Sequence, residues 1–192
     1  MTAFRTAALV TATALAALSL SACKKEGVVA KDESVESVAK KVDESGIKPQ
    51  PGRWESSVKI GKMDLPGLPP QAKEAMGKQM GATQTFASCL TPEQAAKPDA
   101  GFFQAGAKDC KYDSFVMAGG KIDAAMTCDR GGQTLKMTMA GTYSETSYDI
   151  EVKSQGEVQP GMPMSMEMSI ASHRAGECNG TEVSAAAPPA KP

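Results

Sequence analysis

Between Trp54 and Ile170 the apolar residues return at every second position rather than every third or fourth. Trp54, Ser56, Val58 and Ile60 share one side of a first strand, Thr83 to Cys89 forms a second, and Cys110 to Met117 a third. Gly119-Gly120 turns the chain into a fourth, with Ile122, Ala124, Met126 and Cys128 on one face. Gly131-Gly132 turns it again into Leu135, Met137 and Met139, with Tyr143 in phase. Tyr148, Ile150 and Val152 then alternate with Asp149, Glu151 and Lys153. Met162, Met164, Met166, Met168 and Ile170 alternate with Pro163, Ser165, Glu167 and Ser169. A period of two sends successive side chains to opposite faces, so each strand has one apolar and one wet side. Tight glycine turns join such strands as hairpins. The pattern predicts a mainly β fold: an antiparallel meander of about seven strands, curved into an open or closed barrel.

Two short helices interrupt the strands. Gln71 to Met80 follows the Pro-rich run Leu65–Pro70, and Thr91-Pro92-Glu93-Gln94 is a capping box with Pro at the first helical position. The second helix ends before Pro98, and the pair is expected to plug or cover the concave face. The repeating pattern bounds one domain over 52–178. Ahead of it, 23–51 carries charges of both signs and no aromatic residue. Val35, Val38, Ala39 and Val42 fall at helical spacing there, with Asp32 or Ser34 to cap the start and Gly46 to stop it. That apolar stripe is narrow, so the segment reads as a charged, partly helical tether. The stretch 179–192 ends Ala-Ala-Ala-Pro-Pro-Ala-Lys-Pro and reads as a disordered tail.

The first 22 residues have Arg5 near the start, an apolar run from Ala7 to Leu18, and small residues before Cys23. That is the build of a secretory leader. Its ending, Leu20-Ser21-Ala22-Cys23, resembles the bacterial lipobox. The resemblance implies cleavage after Ala22 and acylation of Cys23, palmitate included, with each buried CH₂ contributing ~0.8 kcal/mol to anchoring. Lys24 in place of an Asp implies the periplasmic face of the outer membrane. In that oxidising compartment Cys89, Cys110, Cys128 and Cys178 read as two disulfides, none of them in a CxxC spacing. Three pairings are open. Cys89–Cys110, closing the loop around the short helix, is favoured, which leaves Cys128–Cys178. A rival Cys110–Cys128 bridge needs a one-residue bulge, because a two-residue Gly119-Gly120 turn places Cys110 opposite Asp129.

With 21 basic and 22 acidic side chains, the chain offers no basic patch for nucleic acid. Its single histidine, His173, follows Ser172, but neighbours on a strand point to opposite faces. Asp123, Asp149, Glu151 and Glu167 are scattered on polar faces, and the glycine pairs are turns rather than phosphate loops. No base sits beside a nucleophile, so no enzyme is expected. Methionine is the unusual component, twelve in all. Met162, Met164, Met166 and Met168 present four thioethers on one face, and Met137 and Met139 add two. Thioethers are adaptable apolar surface and also soft ligands that favour Cu(I). The leading expectation is a non-catalytic binding or structural module of the envelope, its methionine face receiving an apolar ligand, a lipid or a partner segment. The alternative is a periplasmic Cu(I) protein using Met164, Met166 and Met168, assisted by Met162, Met137 and Met139. In a meander the Tyr148–Val152 strand holds the two methionine groups roughly 9–10 Å apart at the backbone.

A final regularity lies in the order of elements. Pro51-Gly52-Arg53-Trp54-Glu55 opens a strand, and Cys89-Leu90-Thr91-Pro92-Glu93 leads to Asp109-Cys110-Lys111. Met-Thr-Met and Met-Pro-Met-Ser-Met-Glu-Met strands then precede the last Cys178. This order resembles domain-of-unknown-function family 3617, small envelope proteins of Gram-negative bacteria, over roughly 51–178. The resemblance implies secretion, two disulfides and a β-rich domain. It implies no reaction.

Overall fold

The glycine pairs build the middle of the fold. Gly119 and Gly120 have φ of 58° and 76°, and Gly131 and Gly132 have 62° and 84°. A type I′ hairpin turn needs positive φ at both central residues, which glycine adopts without strain. These turns join β4 (Cys110–Ala118), β5 (Lys121–Arg130) and β6 (Gln133–Tyr143). The meander continues through β7 (Ser147–Gln159) and β8 (Met162–Gly176). A hairpin of β2 (Gly52–Asp64) and β3 (Gln84–Leu90) lies against β8, so all seven expected strands are present. The computed structural model describes residues 27–80, 82–96 and 109–184, and two further strands appear within them. β1 (Val28–Ser34) pairs with β4, and β9 (Val183–Ser184) pairs with β3. The order is β1-β4-β5-β6-β7-β8-β2-β3-β9. Every neighbouring pair is antiparallel except β3 and β9. With β1 and β9 at its two ends, the sheet is open and no barrel closes.

The helix expected within 23–51 is present, but it and a strand ahead of it pack into the core rather than forming a solvated tether. β1 leads straight into α1 (Val35–Glu44), whose first turn is capped by the Ser34 side chain accepting from the Ser37 N–H. Glu33 takes hydrogen bonds from Ser37 and Lys41, which hold its carboxyl below the ordinary range, Lys41 contributing most. Val35, Val38 and Val42 are buried, Val38 completely, alongside Val28 and Ala30 of β1. They pack on Tyr112, Phe115, Ile122, Ala124 and Ile150 of the sheet. Burying a valine contributes roughly 1.5–3 kcal/mol, so this stripe outweighs any capping term. It looks narrow in the sequence because a ten-residue helix turns only three valines inward and their partners lie some 70–110 residues downstream. The helix covering the sheet is therefore α1, rather than α2 (Pro70–Met80) or α3 (Pro92–Ala96). α3 starts with the capping box as spelled: Thr91 Oγ1 accepts from Gln94 N (3.2 Å), and Gln94 Oε1 from Thr91 N (2.9 Å). Among the described residues no helix is long and apolar enough to cross a membrane.

The cysteines pair as Cys110–Cys128 and Cys89–Cys178, which overturns the favoured pairing. The cause is one residue. β4 and β5 slip register between Tyr112 and Ser114, so Cys110 faces Cys128 instead of Asp129. The extra residue, Asp113, accepts a hydrogen bond from Thr127 Oγ1 across the pair (2.6 Å). Cys89 is then left to Cys178, just past the end of β8, with β2 between their strands. In the chain-entropy model loops of these sizes contribute about 3 and about 4.5 kcal/mol. The start of the expected disordered tail is also ordered. Glu182 accepts from the N–H groups of Asn179 and Gly180 and from Arg53. These bonds, the Asn179 N–H first, keep its carboxyl below the usual range and seat β9 on the edge. Residues 185–192 lie outside the described ones.

Non-reducing peptide mapping will recover Cys110 with Cys128 and Cys89 with Cys178; a Cys89–Cys110 peptide would contradict the bulged β4–β5 register. Val38→Ala will lower unfolding free energy by about 2 kcal/mol through the cavity it leaves. A loss under about 0.5 kcal/mol in urea titration, the scale of a surface change, would mean that α1 does not seal the sheet.

Candidate functional site: the methionine face

Across the sheet, opposed residues form rows on the face that α1 partly covers. One row runs Tyr112, Met126, Met137, Ser154, Met166, Met63 from β4 to β2. The next runs Phe115, Ala124, Met139, Val152, Met168, Ile60. Met164 stands opposite Gly156, and Met162 opposite Gln159 beyond a register shift. The candidate residues Met137, Met139, Met164, Met166 and Met168 thus share one face, with β7 between the two groups as expected. Met126 and Met63 join them, and Met63 is the one that alternation misses. Strict alternation from Ile60 puts Lys62 on the apolar side, but β2 slips register between Ile60 and Lys62 and Met63 comes to face Met166. Gly61, inside a strand, is the available signal.

α1 does not reach the whole face. Met117, Met126 and Met139 pack against the buried cluster, whereas Val58, Ile60, Met63, Met137, Met164, Met166 and Met168 lie outside it and are half-buried. Tyr112 at the covered end is desolvated, which pushes its hydroxyl up to about 12 and keeps it neutral. At the open end the inward residues of β7 become small. After Ile150 and Val152 come Ser154, between Met137 and Met166, and Gly156, between Leu135 and Met164. A Cβ on Gly156 would lie 2.8 Å from the Thr134 carbonyl oxygen and 3.0 Å from Leu135 Cδ1, so Leu135 leans over a position only glycine fits. Ser154 is 3% exposed. Its Oγ is the one buried side-chain polar atom among the described residues without a hydrogen-bond partner. Its neighbours along the row are Met137 and Met166, whose thioethers are weak acceptors.

A cavity of about 630 Å³ is lined by Ile60, Met63, Leu65, Leu68, Ser154 and Met166, with Lys73 and Gly77 of α2 among its walls. Lys62, Lys153, Asp64 and Glu167 also line it. A second groove of about 710 Å³ includes Arg53, Glu55, Phe86, Tyr148 and His173. There His173 Nε2 lies 3.7 Å from Glu55 Oε2. Ser172, on the opposite face, pairs its hydroxyl with Ser56 (2.7 Å). Ser147, opposite His173 in register, bonds Ser144 instead (2.9 Å). Among the described residues no nucleophile is hydrogen-bonded to the histidine. Asp123, Asp149 and Glu151 are exposed. No three His, Cys, Asp or Glu side chains converge among the described residues. Cys23 lies outside the described residues.

An unpaired buried hydroxyl costs about 1–3 kcal/mol. Ser154→Ala will therefore raise the unfolding free energy by about 1 kcal/mol in denaturant titration, and a loss of that size would show that the hydroxyl has a partner in the folded chain.

Comparison with curated proteins and with solved structures returned no match. The family described as "Protein of unknown function (DUF3617)" matches residues 49–178, which takes in the methionine face and both disulfides and leaves out β1 and α1. The match covers more than half of the chain, and the chain belongs to that family.

Proposed function

We propose that this chain is a non-catalytic binding module of the bacterial envelope, held by a lipid on Cys23 at the periplasmic face of the outer membrane, whose methionine face takes an apolar ligand. The supporting observation is the partly covered row Met137, Ser154, Met166 and Met63 beside a cavity lined by Ile60, Leu65 and Leu68. Ligand sites are concave, mostly apolar and carry few polar groups. Methionine suits such a wall because its unbranched side chain reshapes at little cost. The leader and its Leu-Ser-Ala-Cys ending support the address.

A second reading, Cu(I) binding, has one observation of its own. Met137 and Met166 flank a serine rather than a larger residue, so two thioethers can lean toward one point above Ser154. Soft sulfur donors favour Cu(I). Met164 and Met168 would assist from the same strand, and Met139 and Met162 from further away.

Native mass spectrometry separates the two readings. Residues 24–192, secreted behind a cleavable leader and collected gently from periplasm, will carry an adduct of lipid mass. Half of the sample receives Cu(I) anaerobically. A stoichiometric copper adduct that survives a competing chelator, and disappears when Met164, Met166 and Met168 are changed to Leu, would move the assignment to copper. Bare protein in both halves would overturn both.

A further inference from the structure

β3 ends at Leu90 on one side of the sheet and β4 begins at Cys110 on the other, with β2, β8, β7, β6 and β5 between them. The chain that joins them is α3 followed by residues 97–108, which lie outside the described ones. Both ends of that connection are fixed beside α1. Lys48 pairs with Asp43 in the last turn of α1 (3.1 Å) and donates to the Ala96 carbonyl, so α3 stops at the C-terminal end of the helix. Lys111 stands opposite Ser34, the cap at the N-terminal end, and Cys110 packs against the cluster that α1 covers. The connection therefore starts and finishes on the methionine face and travels the length of α1. It comes from the β2–β3 side, where that face is open. Val58, Ile60, Ile170, Met137, Met166 and Met168 stay outside the cluster there and are half-buried. Thirteen Cα–Cα steps separate Ala96 from Asp109 and reach at most roughly 47 Å, against roughly 29 Å for the six strand spacings from β3 to β4. A stretch with so little slack stays near the sheet.

The residues that make this passage are uncharged at their centre. Gly101-Phe102-Phe103-Gln104-Ala105-Gly106-Ala107 holds two of the chain's five phenylalanines, and Lys97, Asp99, Lys108 and Asp109 stand toward the ends. Phe102 and Phe103 are midway, six and seven steps from Ala96 and seven and six from Asp109. An aromatic side chain buries ~150–250 Å² when it is covered, and a thioether sulfur at a ring edge is a favourable neighbour. We propose that residues 101–107 dock on the open half of the methionine face, with Phe102 and Phe103 on Met168 and Met137, the methionines that flank β7. This goes beyond the ligand reading and stands without it. It gives the strip next to α1 to the chain itself and leaves Met63, Met164 and Met166, nearer the cavity, to a ligand.

The test introduces Phe103→p-benzoylphenylalanine into residues 24–192 and maps the crosslinks made on illumination. The probe will join, within one molecule, to a methionine of β6 or β8, Met137 or Met168 foremost. Crosslinks found only between two molecules would give the face to a second copy of the chain, and crosslinks to the outer side of α1 alone, or none, would place the passage off the sheet. Each of these overturns the docking. Peroxide oxidation supplies an independent reading. In the double variant Phe102→Ser with Phe103→Ser, Met137 and Met168 will oxidise roughly fivefold faster than in the parent chain, while Met117, packed against the cluster under α1, keeps its rate. Unchanged rates at Met137 and Met168 overturn the docking. Should Met117 speed up as well, the variant is unfolded, and the crosslink map decides, because that chain keeps an aromatic ring at position 103.

Discussion

Three valines of one short helix hold this fold together. An open sheet has an apolar face that water must not reach, and here the cover is α1, set down by β1 at the sheet's edge. The strand-to-helix junction is specified locally. Asp32 takes a positive φ of 54°, which Asp tolerates better than most residues, and Ser34 caps the helix it leads into. Under the helix, Cys110–Cys128 ties β4 to β5 at the end of the buried cluster. At the far edge Cys89–Cys178 and the Arg53–Glu182 contact hold the last described residues to the β2–β3 hairpin. Without the valine stripe these staples would join strands that had nothing to fold against.

The same arithmetic explains why a face is left over. A helix of ten residues is ~15 Å long at 1.5 Å per residue, whereas nine strands ~4.8 Å apart span roughly 38 Å. No arrangement of α1 could cover that width. Among the described residues, Tyr112 meets Phe115 edge-on beneath α1 and Trp54 stacks on Tyr148, whereas Phe86 is exposed. Beyond that reach the exposed-side burden passes to methionine. Its unbranched, polarizable side chain fits the irregular apolar surface beside Ser154.

Much of this is legible in the sequence, for a physical reason. Alternation is a local property, so every strand of the meander and the shared face of Met137, Met139, Met164, Met166 and Met168 follow from counting by two. The Thr91–Gln94 capping box is equally local and forms as written. What escapes is whatever depends on a distant partner. The valines of α1 form a narrow stripe whose meaning appears only beside Phe115 and Ile150. The bulged residue Asp113 moves Cys110 by one position and with it the whole disulfide scheme. Met63 is hidden by the same device in β2, and Ser154 looks in the sequence like nothing more than the end of an alternating run. One-residue slips in register leave almost no trace in composition, yet they decide which side chains meet.

The burial of Val28 has a geometric corollary. An acyl chain on Cys23, if it is there as proposed, would be four residues away from the start of β1, and the five Cα steps reach at most roughly 18 Å when fully stretched. A module on so short a leash could swivel beside the bilayer but could not reach across the periplasm. Its working radius would be that of the headgroup layer and the water just above it, and whatever it receives would have to be delivered there.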